Sequence, residues 1–145
     1  MADPDCRFCA IVAGDDEDSH VVYEDEHSLA FLDHRPLFPG HCLLIPREHH
    51  GTLASLPPEL LEPLFSAAQL LSRAIPEAMG KPGSFVAINN IVSQSVPHLH
   101  VHVVPRRRKD GLRGFFWPRH KYESEVRMAE VAELLRAKIA ELRQS

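Results

Sequence analysis

Apolar residues along this chain recur with two different periods, and the switches between them mark out its elements. His98-Leu99-His100-Val101-His102-Val103-Val104 alternates strictly, with histidine on one side and Leu or Val on the other. That period of two in a β-branched run predicts a strand. Its three imidazoles leave one face, the outer two about 13 Å apart at roughly 3.3 Å per residue. Val21 to Glu24 and Ser28 to Leu32 read as two short strands joined by the turn Asp25-Glu26-His27, a hairpin. His41 to Pro46 and Ser84 to Asn89 are two further strands, with Cys42 a small buried residue.

The period lengthens twice. Ser55-Leu56-Pro57-Pro58-Glu59 is a helix start with proline tolerated in the first turn. Leu60, Leu64, Ala68, Leu71 and Ile75 follow at helical spacing as a core stripe, and Pro76 and Gly80 end it. Glu123 to Leu142 is a second helix, with Met128, Val131, Leu135, Ile139 and Leu142 on one face and acidic residues at its N-terminal end. Gly14 to Ser19, Pro36 to Gly40 and Asn90 to Pro97 are turns and loops. Pro105 ends the histidine strand. Gly111 to Pro118 contains Phe115, Phe116 and Trp117, too apolar for an idle linker.

With 145 residues the chain makes one domain with its own core, 44% apolar and 25% charged. A net charge of −4 argues against coating nucleic acid. The start Met-Ala-Asp-Pro-Asp is polar and acidic, without the apolar run of a signal peptide, and no stretch is long enough to span a bilayer. These features predict a cytoplasmic protein with reduced thiols, without nucleic-acid or membrane partners.

Solvent-facing strand positions are ordinarily filled by Ser, Thr, Lys or Glu, so three histidines on one face point to chemistry. Two readings stand open on the residues alone. Imidazoles alternating on a strand are good ligands for zinc or iron. Equally, one imidazole can be a nucleophile or base at phosphorus, with its neighbours orienting it. Cys6-Arg7-Phe8-Cys9 is a C-x-x-C with only five residues before it, too few for the strand that precedes a redox pair. It reads as half a zinc site in want of two ligands, with Phe8 and Ile11 on a short metal-pinned helix. His49 or His50 is a candidate. Asp33 is either a turn carboxylate or a partner for ribose hydroxyls. Arg106-Arg107-Arg108-Lys109 is a solvated loop or a source of charge for a phosphate chain.

The histidine run resembles the His-φ-His-φ-His-φ-φ signature of the histidine triad (HIT) superfamily of nucleotide hydrolases and transferases. Cys6-Arg7-Phe8-Cys9-Ala10-Ile11, Tyr23-Glu24-Asp25, Leu29-Ala30-Phe31-Leu32-Asp33, Pro39-Gly40-His41, Ile45-Pro46-Arg47-Glu48-His49 and Gln94-Ser95-Val96 look like further family landmarks in family order, an order that resembles the small bacterial members. The resemblance implies an α+β fold: a mainly antiparallel five-stranded sheet with two main helices, and two subunits paired as a homodimer. It implies a single domain over residues 1–145, with a core of about 4–106 and an extension over 107–145. The middle histidine, His100, attacks the α-phosphorus of a purine nucleotide, its ring held by the backbone carbonyl of His98. His102 and Ser95 hold phosphate oxygens or serve the leaving group. A structural zinc ion takes Cys6, Cys9, His49 and His98. Asp33 binds ribose; Phe8, Ile11 and Leu32 line the base pocket; Asn89, with Asn90 as a rival, and Gln94 reach the phosphates. Dinucleoside polyphosphates come first as substrates and nucleoside phosphoramidates second. A regulatory module that binds nucleotides with little turnover is the alternative.

Two departures stand beside the scissile phosphate. Ser93 occupies the place of a glycine that many relatives carry before the Gln-Ser/Thr pair, and the loop Asn90 to Gln94 is short. The segment Gly111 to Arg119 lies outside the shared core, and is expected to shape the far side of the substrate, with Arg106, Arg113 or Arg119 near a polyphosphate.

Overall fold

The computed structural model describes residues 2–112 and 119–144. Five strands form one antiparallel sheet in the order β1-β2-β3-β5-β4: β1 Val21–Glu24, β2 Ser28–Leu32, β3 Cys42–Pro46, β4 Gly83–Ile88 and β5 Val101–Arg106. Helix α1 is Arg7–Val12, α2 is Leu61–Met79 and α3 is Glu125–Arg143. The α+β architecture is the expected one. The chain divides into two compact units, Met1–Asp110 and Gly111–Ser145. Among the described residues, no helix is long and apolar enough to cross a membrane.

Strand alternation gives the sheet two apolar faces. Ala30, Cys42, Leu44, Leu99, Val101 and Val103 meet α2 through Leu64, Ala67, Ala68, Leu71 and Ile75. Leu29, Phe31, Leu43 and Ile45 face the other way and pack with Cys6, Phe8, Cys9, Ile11 and Val96. The histidine face belongs to this second side, since His102 is the register partner of Leu43. It is a buried face, with His98 and His100 at 0% and 2% exposure.

The histidine strand begins three residues later than its alternation predicts. Pairing starts at Val101, opposite Leu44 and Ile88. Before it the backbone bonds elsewhere, His98 N–H to the Val96 carbonyl and Leu99 N–H to the His50 carbonyl at 2.7 Å. The strand also runs through Pro105 to Arg106. Pairing with β3 ends at Val103, so proline sits where that side of β5 is an edge and a missing donor is tolerated.

The expected helix at Ser55 opens instead as two 3-10 turns, Leu53–Ser55 and Pro58–Leu60, before α2 begins at Leu61. Pro76 does not end α2: it sits in the last turn. The stop comes at Gly80, whose left-handed φ of 65° lets Lys81 N–H cap the Pro76 carbonyl at 2.8 Å. The core face expected on the last helix is not found. Ser124 caps α3 and three ion pairs lie along it, but none of its residues is buried. Its own unit offers no second helix or strand to pack on among the described residues. Phe115, Phe116, Trp117 and Arg113 lie outside the described residues, and Arg119 is exposed.

Candidate active site

Four of the expected metal ligands converge. The donor atoms of Cys6, Cys9, His49 and His98 all lie within 4.8 Å of one another. Cys6 caps α1 by accepting its Cys9 N–H, which turns both sulfurs toward the sheet. His98 Nδ1 stands 3.4 and 3.6 Å from the two sulfurs, and His49 Nδ1 stands 3.3 Å from Cys9. Bonds of about 2.3 Å to sulfur and 2.0–2.1 Å to nitrogen in a tetrahedron give S···N edges of about 3.5 Å, so the set fits a four-coordinate ion of zinc type. The surroundings fit as well. His98 Nε2–H donates to the Pro46 carbonyl at 2.9 Å, which leaves Nδ1 as the lone-pair nitrogen. Asp3 N–H donates to Cys9 Sγ. Burial pushes the Cys9 thiol up, so cation uptake here would release protons. His50 faces Glu48, not the cysteines.

Beside this set, a cavity of about 550 Å³ opens on the same face of the sheet. That volume suits a small-molecule ligand. Its apolar wall is Phe8, Ile11, Phe31, Leu32, Leu43 and Val96; its polar groups include Asp33, Ser95, His100 and His102. Phe8 stands edge-on to Phe31 and His100, each at 5.2 Å between centroids.

Hydrogen bonds fix which nitrogen of each ring carries the proton. His100 Nδ1 lies 2.8 Å from the His98 carbonyl, an acceptor only, so this nitrogen donates. In neutral His100 the lone pair is therefore on Nε2. For His102 the argument starts further off. Gly40, at φ 98° and with no room for a Cβ beside Met79, makes the turn that delivers His41. Leu37 N–H donates to His41 Nδ1 at 3.0 Å. His41 Nε2 must then hold the proton, and it donates to His102 Nδ1 at 3.0 Å. Neutral His102 consequently carries its proton on Nε2. Burial, aided by His100 and His41, pushes His102 down to about 4; burial also lowers His41. Adjacent rings, 5.0 Å apart, thus present opposite faces of imidazole chemistry: a lone pair on His100 and an N–H on His102. Asp33, His41 and His102 also bring donor atoms together. A cation there would need the Nε2 lone pair of His41, which the Leu37 N–H at Nδ1 denies to the neutral ring.

Of the residues expected at the nucleotide site, Phe8, Ile11, Leu32, Asp33, Ser95, His100 and His102 line this one cavity. Asn89 and Gln94 do not line it. Asn90 accepts from Leu53 N–H, and Gln94 bridges Ile91 and Gly51. The His98 side chain belongs to the sulfur-lined set, and its carbonyl alone bonds the catalytic candidate. Arg106 is paired with Asp110 at 2.8 Å. His41 as a partner of His102, and Phe31, Leu43 and Val96 as lining, emerge only from the structure. Alternation in β2 and β3 was the available signal for Phe31 and Leu43, which share the histidine side.

A family model described as "HIT domain" matches residues 15–109. The adenylylsulfatase HINT3 of Arabidopsis thaliana is 37% identical over 110 residues, covering 74% of this chain and 55% of that one. The bis(5'-nucleosyl)-tetraphosphatase [asymmetrical] of Schizosaccharomyces pombe is 35% identical over 94 residues, covering 63% and 52%. The chain therefore spans about half the length of these two curated relatives. Among solved structures, a Zn-bound histidine triad family protein from Mycobacterium smegmatis superposes with a TM-score of 0.70 at 38% identity, over 97% of this chain and 96% of that one.

Proposed function

This chain belongs to the HIT family, and from that premise we propose that it is a hydrolase or transferase cutting purine nucleotides at a substituted α-phosphate. Dinucleoside polyphosphates are the first substrates to try and nucleoside phosphoramidates the second. The observation that carries the reading is the 2.8 Å bond from His100 Nδ1 to the His98 carbonyl, which leaves an Nε2 lone pair on a ring lining the cavity.

In this reading the base lies against Phe8, Ile11, Leu32 and Phe31, and Asp33 accepts from the ribose hydroxyls. His100 Nε2 attacks the α-phosphorus. An N–P bond forms, the bond to the leaving group breaks, and the leaving group keeps the electron pair. The positive ring is stabilised at Nδ1 by the His98 carbonyl. His102 Nε2–H and the Ser95 hydroxyl donate to oxygens on which charge builds. Water then attacks phosphorus, the N–P bond breaks, and its electron pair returns to Nε2. One water proton ends on the nucleotide phosphate and the other balances the leaving group. Support comes from the curated relatives, one named an adenylylsulfatase and one a tetraphosphatase.

Zinc is assigned to Cys6, Cys9, His49 and His98, where it would crosslink α1 to the segments before α2 and β5; a Zn-bound relative supports this. Pairing of two copies along β4 is supported by its place at the sheet edge, with Val86 exposed, and by exposed Leu61, Phe65 and Leu70 on α2. Sedimentation would test it. A cytoplasmic setting accords with three unpaired cysteines.

The decisive experiment mixes the protein with α-labelled nucleotide and quenches in alkali, because phosphohistidine is acid-labile. Label on His100 is expected. Tight nucleotide binding with no label and no turnover would replace the enzyme by a binding module.

A further inference from the structure

The segment Asn90 to Ser95 is held in an unfavourable shape. Ile91 and Ser93 both have left-handed backbones, at φ 69° and 63°. For a β-branched residue such as Ile91 this conformation is a true outlier. Burial does not compensate it, since Ile91 is 77% exposed. What opposes relaxation is a set of side-chain bonds to backbone. Gln94 Oε1 accepts from Ile91 N–H at 2.8 Å, and Gln94 Nε2 donates to the Gly51 carbonyl at 2.6 Å. Asn90 Oδ1 accepts from Leu53 N–H at 2.8 Å. The next residue after Gln94 is Ser95, which lines the cavity with His100 and His102.

We propose that Gln94 is a positioning residue: its amide clamps the strained loop to Gly51 and thereby holds the Ser95 hydroxyl over the cleft. Both ends of the amide are taken by the protein's own backbone, and its side chain does not line the cavity. Ser93 adds to the need for the clamp, because serine holds the left-handed conformation less readily than glycine. This inference rests on the hydrolase reading for the part of Ser95, while the clamp itself can be tested without turnover.

The test compares wild type, Gln94→Ala, Ser95→Ala and the double variant with a dinucleoside polyphosphate. Gln94→Ala should lower kcat at least tenfold with KM within twofold, and the double variant should be no slower than Ser95→Ala, since both changes remove one contact. Amide exchange at position 94, whose N–H donates to the Ile91 carbonyl, and at Leu53, whose N–H donates to Asn90 Oδ1, should quicken in Gln94→Ala while the sheet stays protected. Gln94→Met, which keeps the bulk, serves if the alanine variant does not fold. A raised KM at constant kcat, losses that multiply in the double variant, or unchanged exchange at position 94 and Leu53 would each overturn the clamp. If wild type turns over no nucleotide, the hydrolase reading falls and exchange at position 94 and Leu53 still decides whether the clamp exists.

Discussion

His98 and His102 lie on one run of chain, both pushed down to about 4 by burial, yet their surroundings differ in kind. His98 is wholly enclosed, its two nitrogens given to sulfur-lined donors and to the Pro46 carbonyl. His102 lines an open cavity and takes its proton placement from His41. One end is a closed set suited to holding an ion; the other keeps a hydrogen-bond donor for something that comes and goes. Burial alone does not distinguish a structural histidine from a reactive one. The partner of the second ring nitrogen does. His100, between them, borrows a carbonyl from the first region and a neighbour from the second.

The difference can be broken most sharply at His100. His100→Asn should fold, match wild type in zinc content and bind nucleotide, while turnover falls by several orders of magnitude. Retention of more than about a tenth of wild-type rate, only ~1.4 kcal/mol of transition-state stabilisation, would remove the covalent mechanism. On the closed side, Cys9→Ser should abolish zinc by elemental analysis and lower Tm by about 10 °C or more, with smaller effect on the rate per folded molecule. Zinc-free wild type of full stability would show the set to be only a hydrogen-bonded cluster.

On the open side, Asp33→Ala should raise KM by roughly ten- to a hundredfold with kcat nearly kept, from loss of charge-assisted bonds of roughly 1.5–3 kcal/mol. Discrimination against deoxyribonucleotides should vanish with it. An unchanged ribose preference would take Asp33 out of the cleft's function. The smallest effect is on stability against pH. Burial, with His100 and His41 nearby, holds His102 near 4 against the partial pull of Asp33. The ordinary value is 6.5, so the unfolded chain binds the extra proton first. Stability is therefore undiminished above about pH 6.5 and is lost as pH falls toward 4. Urea midpoints at pH 7 and pH 5 should differ in that sense, and His102→Gln should narrow the gap.

How far the two regions could be read in advance follows from the same contrast. β1 and β2 were legible to the residue, because alternation and an Asp-containing turn are local signals. Cys6 and Cys9 were legible from their spacing as half a metal site; the choice of His49 and His98 to complete it, and the lining residues Phe8, Ile11 and Leu32, rest on motif resemblance, and the structure brings each group together. The start of β5 was not legible, because periodicity cannot show that Leu99 N–H will find the His50 carbonyl. His41 was read only as a landmark and a strand residue, since its part depends on β3 lying beside β5. Nor can sequence say which way the Gln94 amide turns. The apolar stripe of α3 predicted a partner surface that its own unit does not contain.

Three consecutive residues before the first 3-10 turn each hold a different piece. His49 gives Nδ1 to the sulfur set, His50 gives its carbonyl to Leu99, and Gly51 gives its carbonyl to Gln94. A cut, an insertion or a new chain terminus there would be felt at three places at once. For anyone permuting or splitting the chain, residues 49–51 are the tripeptide to leave whole.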